Sequence, residues 1–91
     1  MPKVIITAQV QDPVKWEAGF RTHTDIFRTY TIDTPIHYTI DGHEVTICME
    51  PENLDTFMQS LESKATIEAM AFDGVMRETV KTLALDRELK L

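Results

Sequence analysis

The sequence predicts an α+β fold in which one four-stranded antiparallel sheet carries both helices on one face, in the order β-α-β-β-α-β. Residues 3–10 and 36–50 are rich in β-branched residues and alternate with the period of a strand. Between them, large ring side chains recur at helical spacing. A second helical pattern occupies residues 53–72, before a last strand-like run. This order of elements is that of a ferredoxin-like sandwich.

Composition limits the class of protein and of partner. The 91 residues fit one domain, residues 1–91, whose charged tail at residues 86–91 we expect to be exposed. Nine basic against fifteen acidic residues give a net charge of −6 without a Lys/Arg cluster, which argues against nucleic-acid and anionic-membrane partners. No apolar run approaches the roughly 18 residues that a membrane span needs. The single Cys48 excludes an internal disulfide and suits a reducing cytoplasm.

The first strand, Lys3–Val10, is followed by the stretch around which the chain is organised. Asp12 is expected to cap a helix that has Pro13 at its first position and ends between Phe27 and Tyr30. One face of this helix carries large rings and must be covered by the rest of the chain, which makes it either an ordinary core or the wall of a cavity. The rings on it lie four, three and four residues apart: Trp16, Phe20, His23 and Phe27.

Gly19 interrupts this helix and costs about 1 kcal/mol relative to alanine. It lies beside the ring-bearing face. The first interpretation is therefore close packing of the helix against the sheet, and the second is room for a ligand.

Asp41-Gly42 is a strong signal for a hairpin turn between residues 36–40 and 43–50. Every apolar residue of both strands then falls on one side, which supports this pairing independently of the turn. The apolar-face pairs that follow from centring the turn on these two residues are Ile40 with His43, Tyr38 with Val45 and Ile36 with Ile47.

The second helical region is expected in two parts. The run Pro51-Glu52-Asn53 ends the hairpin and begins the first part, and Ser63 begins the second. Gly74 is expected to end the second part in a left-handed conformation, and Arg77–Leu85 to form the last strand, although its alternation is weak. The side chains at core spacing are Leu54, Phe57, Met58, Leu61, Ile67, Ala69, Met70 and Phe72.

His23 is the best candidate for chemistry. It falls on the buried face between Phe20 and Phe27, where a neutral imidazole without a hydrogen-bond partner costs about 1–3 kcal/mol. In a pocket it would act as a general base or an orienting donor. The alternative is a core histidine satisfied by a backbone carbonyl or a strand hydroxyl.

The other candidate metal and nucleophile residues give weaker signals. The hairpin pairing places His37 and His43 on opposite faces, and no spacing typical of a transition-metal site occurs. A haem would need His23 as its axial ligand in a roomy pocket. Cys48 has no neighbouring Cys or catalytic partner in the sequence, so we expect it to be inert. We therefore expect no metal and no cofactor.

The composition of the sheet face away from the helices predicts a partner. This face carries a mixture of apolar and polar side chains that is too apolar to lie in free solvent and too polar for a dry core. A second copy packed face-on would suit it, whereas the alternative is a solvated face on which threonine is simply a good strand former. Its residues are Ile5, Thr7, Gln9, His37, Thr39, Thr46 and Cys48, with part of the last strand.

The order of elements, the W-x3-F-x2-H spacing of Trp16, Phe20 and His23, and the run from Ser63 to Val75 (S-x-x-x-I-E-x-M, then D-G-V) resemble the dimeric α/β-barrel superfamily. The branch that it resembles most is that of small proteins similar to antibiotic-biosynthesis monooxygenases. The resemblance implies a homodimer whose two sheets form a barrel, with a pocket between sheet and helices in each protomer. It also implies that Trp16 and His23 face that pocket.

Three functions remain open at this point. The first is a cofactor-independent, monooxygenase-like enzyme acting on a small hydrophobic or aromatic molecule, with His23 handling a proton. The second is a non-catalytic homodimer that binds a small molecule with the same walls. The third is a structural or interaction dimer without a pocket. The expected substrate-binding residues are Trp16, Phe20, Phe27 and Tyr38.

Overall fold

The computed structural model describes residues 3–29 and 34–91, and their architecture is the predicted one. The strands are β1 (Lys3–Val10), β2 (His37–Asp41), β3 (Glu44–Met49) and β4 (Val75–Leu85), and the helices are α1 (Pro13–Phe20), α2 (Thr24–Thr29), α3 (Leu54–Ser60) and α4 (Lys64–Phe72). The strands form one four-stranded antiparallel sheet in the order β2-β3-β1-β4.

The core lies between one face of the sheet and the helices. Strand alternation sends Val4, Ala8 and Val10 of β1 to this face, next to Val45, Ile47 and Met49 of β3, and all six are buried. Trp16 of α1 and Phe57 of α3 are buried apolar side chains of the described helices, and both belong to this core. The two buried positions therefore fall where the helical spacing predicted them.

The first helix is not continuous, which corrects the sequence prediction. Asp12 caps α1 as expected, because its Oδ1 accepts hydrogen bonds from the backbone N–H groups of Val14 (3.0 Å) and Lys15 (3.2 Å). The helix then stops at Phe20 and resumes as α2 at Thr24. The second segment ends at Thr29, within the predicted limits, and Tyr30 lies outside the described residues.

The hairpin has the predicted faces but a different register. Asp41 pairs with Glu44, so the two-residue loop is Gly42-His43 and not Asp41-Gly42. Gly42 has φ +61°, the left-handed value that the first loop position needs. Tyr38 consequently pairs with Ile47, Ile40 with Val45 and His37 with Cys48. A shift of two residues leaves every side chain on its original face, which explains why the facial pattern did not reveal the error.

The C-terminal half follows the prediction closely. Asn53 and Ser63 cap α3 and α4, and Gly74 has φ +77° after the end of α4. The last strand begins at Val75, two residues before the predicted Arg77. Residues 86–91 are exposed and have no regular secondary structure. Within the described part of the chain, no helix has both the length and the apolar character to cross a membrane.

A bulge interrupts β4 opposite the middle of β1. Thr7 pairs with Lys81, yet Gln9 pairs with Met76, so extra residues of β4 are accommodated there. The side chain of Thr79 fixes the bulge: its Oγ1 accepts from the N–H of Gln9 (2.8 Å) and donates to the carbonyl of Met76 (2.6 Å). The bulge explains why the sequence of this strand alternates weakly.

Replacing the α1 cap should lower stability without changing the fold. Asp12→Ala removes the acceptor for two N–H groups at the start of α1, so we expect the free energy of unfolding to fall by about 1 kcal/mol. Urea denaturation measures it. Asp12→Asn is the control, because its side-chain oxygen can still cap the helix. A loss as large for Asn as for Ala would show that the cap contributes little.

Candidate functional site

A cavity of about 350 Å³ lies between the helical layer and the sheet. Side chains of β1 and β3 form its floor, including Ile6 and Ile47, while α4 contributes Ala69 and Met70. The bulge in β4 turns both Val75 and Val80 toward it, although an odd separation would place them on opposite faces of a regular strand. Pockets of about 300 Å³ or more with mostly apolar walls are typical of small-molecule sites.

An aromatic wall from α1 and α2 closes one side of the cavity. Trp16, only 2% exposed, stacks on Phe20 with ring centroids 4.8 Å apart, and Phe20 meets Phe27 at 5.3 Å. All three rings line the cavity. Aromatic contacts of this kind contribute about 0.5–1.5 kcal/mol beyond the buried area, so the wall is a well-supported surface.

His23 lies in the break between α1 and α2, for which local hydrogen bonds provide the reason. Thr22 donates its hydroxyl to the carbonyl of Gly19 (2.6 Å), and a side chain that bonds a nearby carbonyl competes with the regular helix. The N–H of His23 bonds the carbonyl of Phe20 (3.1 Å), whereas its own carbonyl accepts from Phe27 (3.3 Å). The backbone of His23 thus begins the second segment while its side chain lines the cavity.

The imidazole of His23 is held by Asp73. Nε2 of His23 lies 2.8 Å from Oδ2 of Asp73, and Asp73, at 4% exposure, is among the most buried polar residues of the described chain. Asp73 directly follows α4, so 50 residues of sequence separate the partners. Both line the cavity. Sequence reasoning missed Asp73, since the only local signal is an acidic residue before the glycine that ends a helix.

This arrangement fixes the chemistry that the imidazole offers. A carboxylate accepts hydrogen bonds, so the contact places the proton of a neutral imidazole on Nε2. Nδ1 then carries the lone pair and can accept a proton or a hydrogen bond from a ligand. A carboxylate behind an imidazole holds its orientation and stabilises the charged form when a proton arrives, as in hydrolase triads.

Comparison with solved structures shows that the chain has a known fold. The cofactor-independent oxygenase SnoaB from Streptomyces nogalater matches with a TM-score of 0.71 at 11% identity, over 99% of this chain and 95% of that chain. A proposed antibiotic biosynthesis monooxygenase from Bordetella bronchiseptica matches with a TM-score of 0.71 at 18% identity, over 97% of both chains. Another from Caulobacter crescentus matches at 0.69 and 15%, over 97% of this chain and 90% of that chain.

The chain has the ferredoxin-like fold of the antibiotic biosynthesis monooxygenases. No family model and no curated protein sequence matches it. At these identities the likeness is one of fold, and it carries no assignment of activity or of site residues.

Tyr38 takes a different place on this monooxygenase-like fold from the other predicted substrate-binding residues. It is not among the residues that line the cavity. Its ring packs edge-on behind Trp16 and Phe20, at 5.8 and 5.2 Å, and its hydroxyl donates to Oε2 of Glu17 (2.7 Å). The described structure therefore shows Tyr38 supporting the aromatic wall from behind.

The remaining candidates lie away from the cavity. His43 sits in the hairpin loop with Nδ1 3.1 Å from the carbonyl of Val10, while His37 and Cys48 form a cross-strand pair on the opposite sheet face. The part of the chain that the structure describes contains no cluster of three or more His, Cys, Asp or Glu side chains suited to a metal ion.

The Tyr38–Glu17 hydrogen bond should be visible in a titration. The bond to the Glu17 carboxylate, aided by desolvation, raises the pKa of Tyr38 above its ordinary 10.0, although Arg21 opposes the shift. A raised pKa means that the stabilisation is complete below about pH 10 and is lost as the pH rises through the folded-state pKa. Glu17→Gln should lower the titration midpoint.

Phenolate absorbance measures this midpoint, in a Tyr30→Phe background that leaves Tyr38 as the single tyrosine. Glu88→Gln serves as the control for the loss of one negative charge, because Glu88 lies in the exposed tail after β4, at the opposite edge of the sheet from β2. An unchanged midpoint in Glu17→Gln would mean that the hydrogen bond does not form in solution.

Proposed function

We propose that the chain is a cofactor-independent, monooxygenase-like enzyme that acts on a small hydrophobic or aromatic molecule. The observation that carries the proposal is the His23–Asp73 pair, 2.8 Å apart, at the wall of an otherwise largely apolar cavity of about 350 Å³. SnoaB, which has this fold, is a cofactor-independent oxygenase, so the fold is compatible with this class of reaction.

In this proposal the first step is removal of a proton from the substrate by Nδ1 of His23. The aromatic wall of Trp16, Phe20 and Phe27 binds the flat face of the ligand, and Asp73 stabilises the imidazolium that forms. A positioned general base contributes about 10²–10⁴-fold to a rate. An oxygenase without a cofactor takes the electrons for dioxygen from its substrate, so the substrate class that fits is an electron-rich aromatic with an acidic O–H or C–H group.

Two alternative functions use the same chain differently. A non-catalytic binder would use the cavity without proton transfer, and its walls suit that role equally well. The buried carboxylate favours the enzyme, because an apolar ligand alone gives no reason to bury an Asp–His pair, which costs free energy. A structural dimer with a closed helix–sheet interface is disfavoured by the size of the cavity.

The proposal includes a homodimer formed through the outer face of the sheet, in the cytoplasm. On that face Ile5 of β1 lies between Cys48 of β3 and Leu83 of β4. Leu83 is 45% exposed and Leu85 is 48% exposed. A row of apolar side chains on an open sheet face is typical of an interaction surface, and a second copy would bury it. The single thiol, Cys48, supports the reducing compartment.

Removing the base should abolish turnover and leave ligand binding in place. Naphthol is a suitable first probe, as a flat, electron-rich phenol. In His23→Phe the cavity keeps an aromatic wall but loses the proton acceptor, so we expect naphthol binding to change by less than about 10-fold and oxygen consumption to fall by at least about 100-fold. Fluorescence titration and an oxygen electrode measure the two quantities.

A cavity-filling variant supplies the control. Ala69→Phe places a ring in the cavity and should abolish binding and turnover together, whereas Ala71→Phe, on the opposite and exposed side of the same helix, should alter neither. Undiminished oxygen consumption in His23→Phe would contradict the base role. Binding to wild type without turnover of any phenol tested would favour the non-catalytic alternative.

The dimer is tested by a charge on the outer sheet face. Leu83→Asp should halve the mass measured by sedimentation equilibrium, since a buried carboxylate at an interface is costly. Val14→Asp is the matched control, because Val14 is 80% exposed and lies on α1, across the sheet from this face. A monomeric wild-type protein at micromolar concentration would refute the proposed interface.

A further inference from the structure

Gly19 of α1 packs directly against the side chain of Asp73. A Cβ built on Gly19 would collide with this carboxylate, lying 2.7 Å from its Cγ and closer still to Oδ1. The nearest atoms to that position all belong to Asp73, and none belongs to the sheet. This overturns the first interpretation of Gly19 from sequence, since the missing side chain makes room for Asp73 and not for a strand.

The backbone of α1 gives no other reason for a glycine here. Gly42 and Gly74 have positive φ in the described chain, whereas Gly19 does not and sits inside a regular helix. Alanine would favour that helix. The group that gains room from the absence of a side chain at position 19 is the Asp73 carboxylate.

Asp73 cannot easily retreat from α1. Its N–H bonds the carbonyl of Ala69 (3.1 Å), and the carbonyl of the next residue, Gly74, accepts from Gln11 (3.0 Å). The side chain is buried, and its Oδ1 has no hydrogen-bond partner within the described residues. Oδ1 therefore faces the position that a Cβ of residue 19 would occupy, while Oδ2 meets His23.

We propose that Gly19 is a positioning residue: the space left by its missing Cβ holds the Asp73 carboxylate in reach of His23 Nε2. The catalytic consequence rests on the proposed function, but the geometry does not. A side chain at position 19 must push the carboxylate away or separate α1 from α4. In either case His23 loses the partner that fixes its tautomer and orientation.

A double-mutant comparison tests this without any ligand. In wild type, Gly19→Ala should lower the melting temperature by about 4 °C or more in spite of the better helix propensity. In an Asp73→Ala background the collision is gone, and the same Gly19→Ala substitution should raise the melting temperature. Ala18→Gly, on the exposed side of the same helix, should lower it similarly in both backgrounds.

Nuclear magnetic resonance supplies a readout that general destabilisation would not move. We expect a hydrogen-bonded Nε2–H signal of His23 in wild type and its loss in Gly19→Ala well below the melting temperature. The proposal is overturned if that signal persists, or if Gly19→Ala lowers stability equally in both backgrounds. If the single variant does not fold, recovery of folding in the Gly19→Ala, Asp73→Ala double variant supports the proposal, and its failure refutes it. Failure to find a substrate would affect the proposed function and not this result.

Discussion

The packing of Trp16 and Phe20 between α1 and the sheet is the interaction on which the rest of the structure depends. The two rings stack at 4.8 Å, and Trp16 is almost fully buried. Rings of this size separate the helix backbone from the sheet, whose Ala8, Val45 and Ile47 belong to the same core cluster. Space remains beyond the rings because α4 reaches the same layer with alanine and methionine, and that space is the cavity.

Hydrophobic periodicity predicted the layers and the faces of this fold, because burial acts on every residue of a strand or helix at once. It did not predict details that depend on one or two residues. The hairpin loop lies at Gly42-His43, a shift of two that the facial pattern cannot detect. The break after Phe20 depends on the hydroxyl of Thr22, and the bulge in β4 depends on the hydroxyl of Thr79; each hydroxyl donates to a nearby backbone carbonyl.

The candidate site was predictable only in part for a related reason. The aromatic positions and His23 share one helical spacing, so periodicity alone is enough to group them on one face. Asp73 belongs to another element, and its meeting with His23 depends on how α4 ends beside α1. That is a tertiary contact between distant segments, which local pattern does not encode. Tyr38 lies on the sheet face that the helices cover, but its ring packs behind the aromatic residues and does not line the cavity. Periodicity predicts the face on which a side chain lies, but not whether that side chain reaches the cavity.

Three features that work against stability meet at the His23–Asp73 pair. Gly19 weakens a helix by about 1 kcal/mol, the break after Phe20 forfeits the continuity of that helix, and Oδ1 of Asp73 is buried without a partner among the described residues, a defect that costs about 1–3 kcal/mol. A core histidine would need none of them, since a backbone carbonyl or strand hydroxyl would satisfy its ring. All three follow if the chain must bury a carboxylate behind an imidazole at the edge of an apolar cavity. Departures from local consistency concentrate where function demands them, which is why the pair, and not the cavity alone, supports an enzyme.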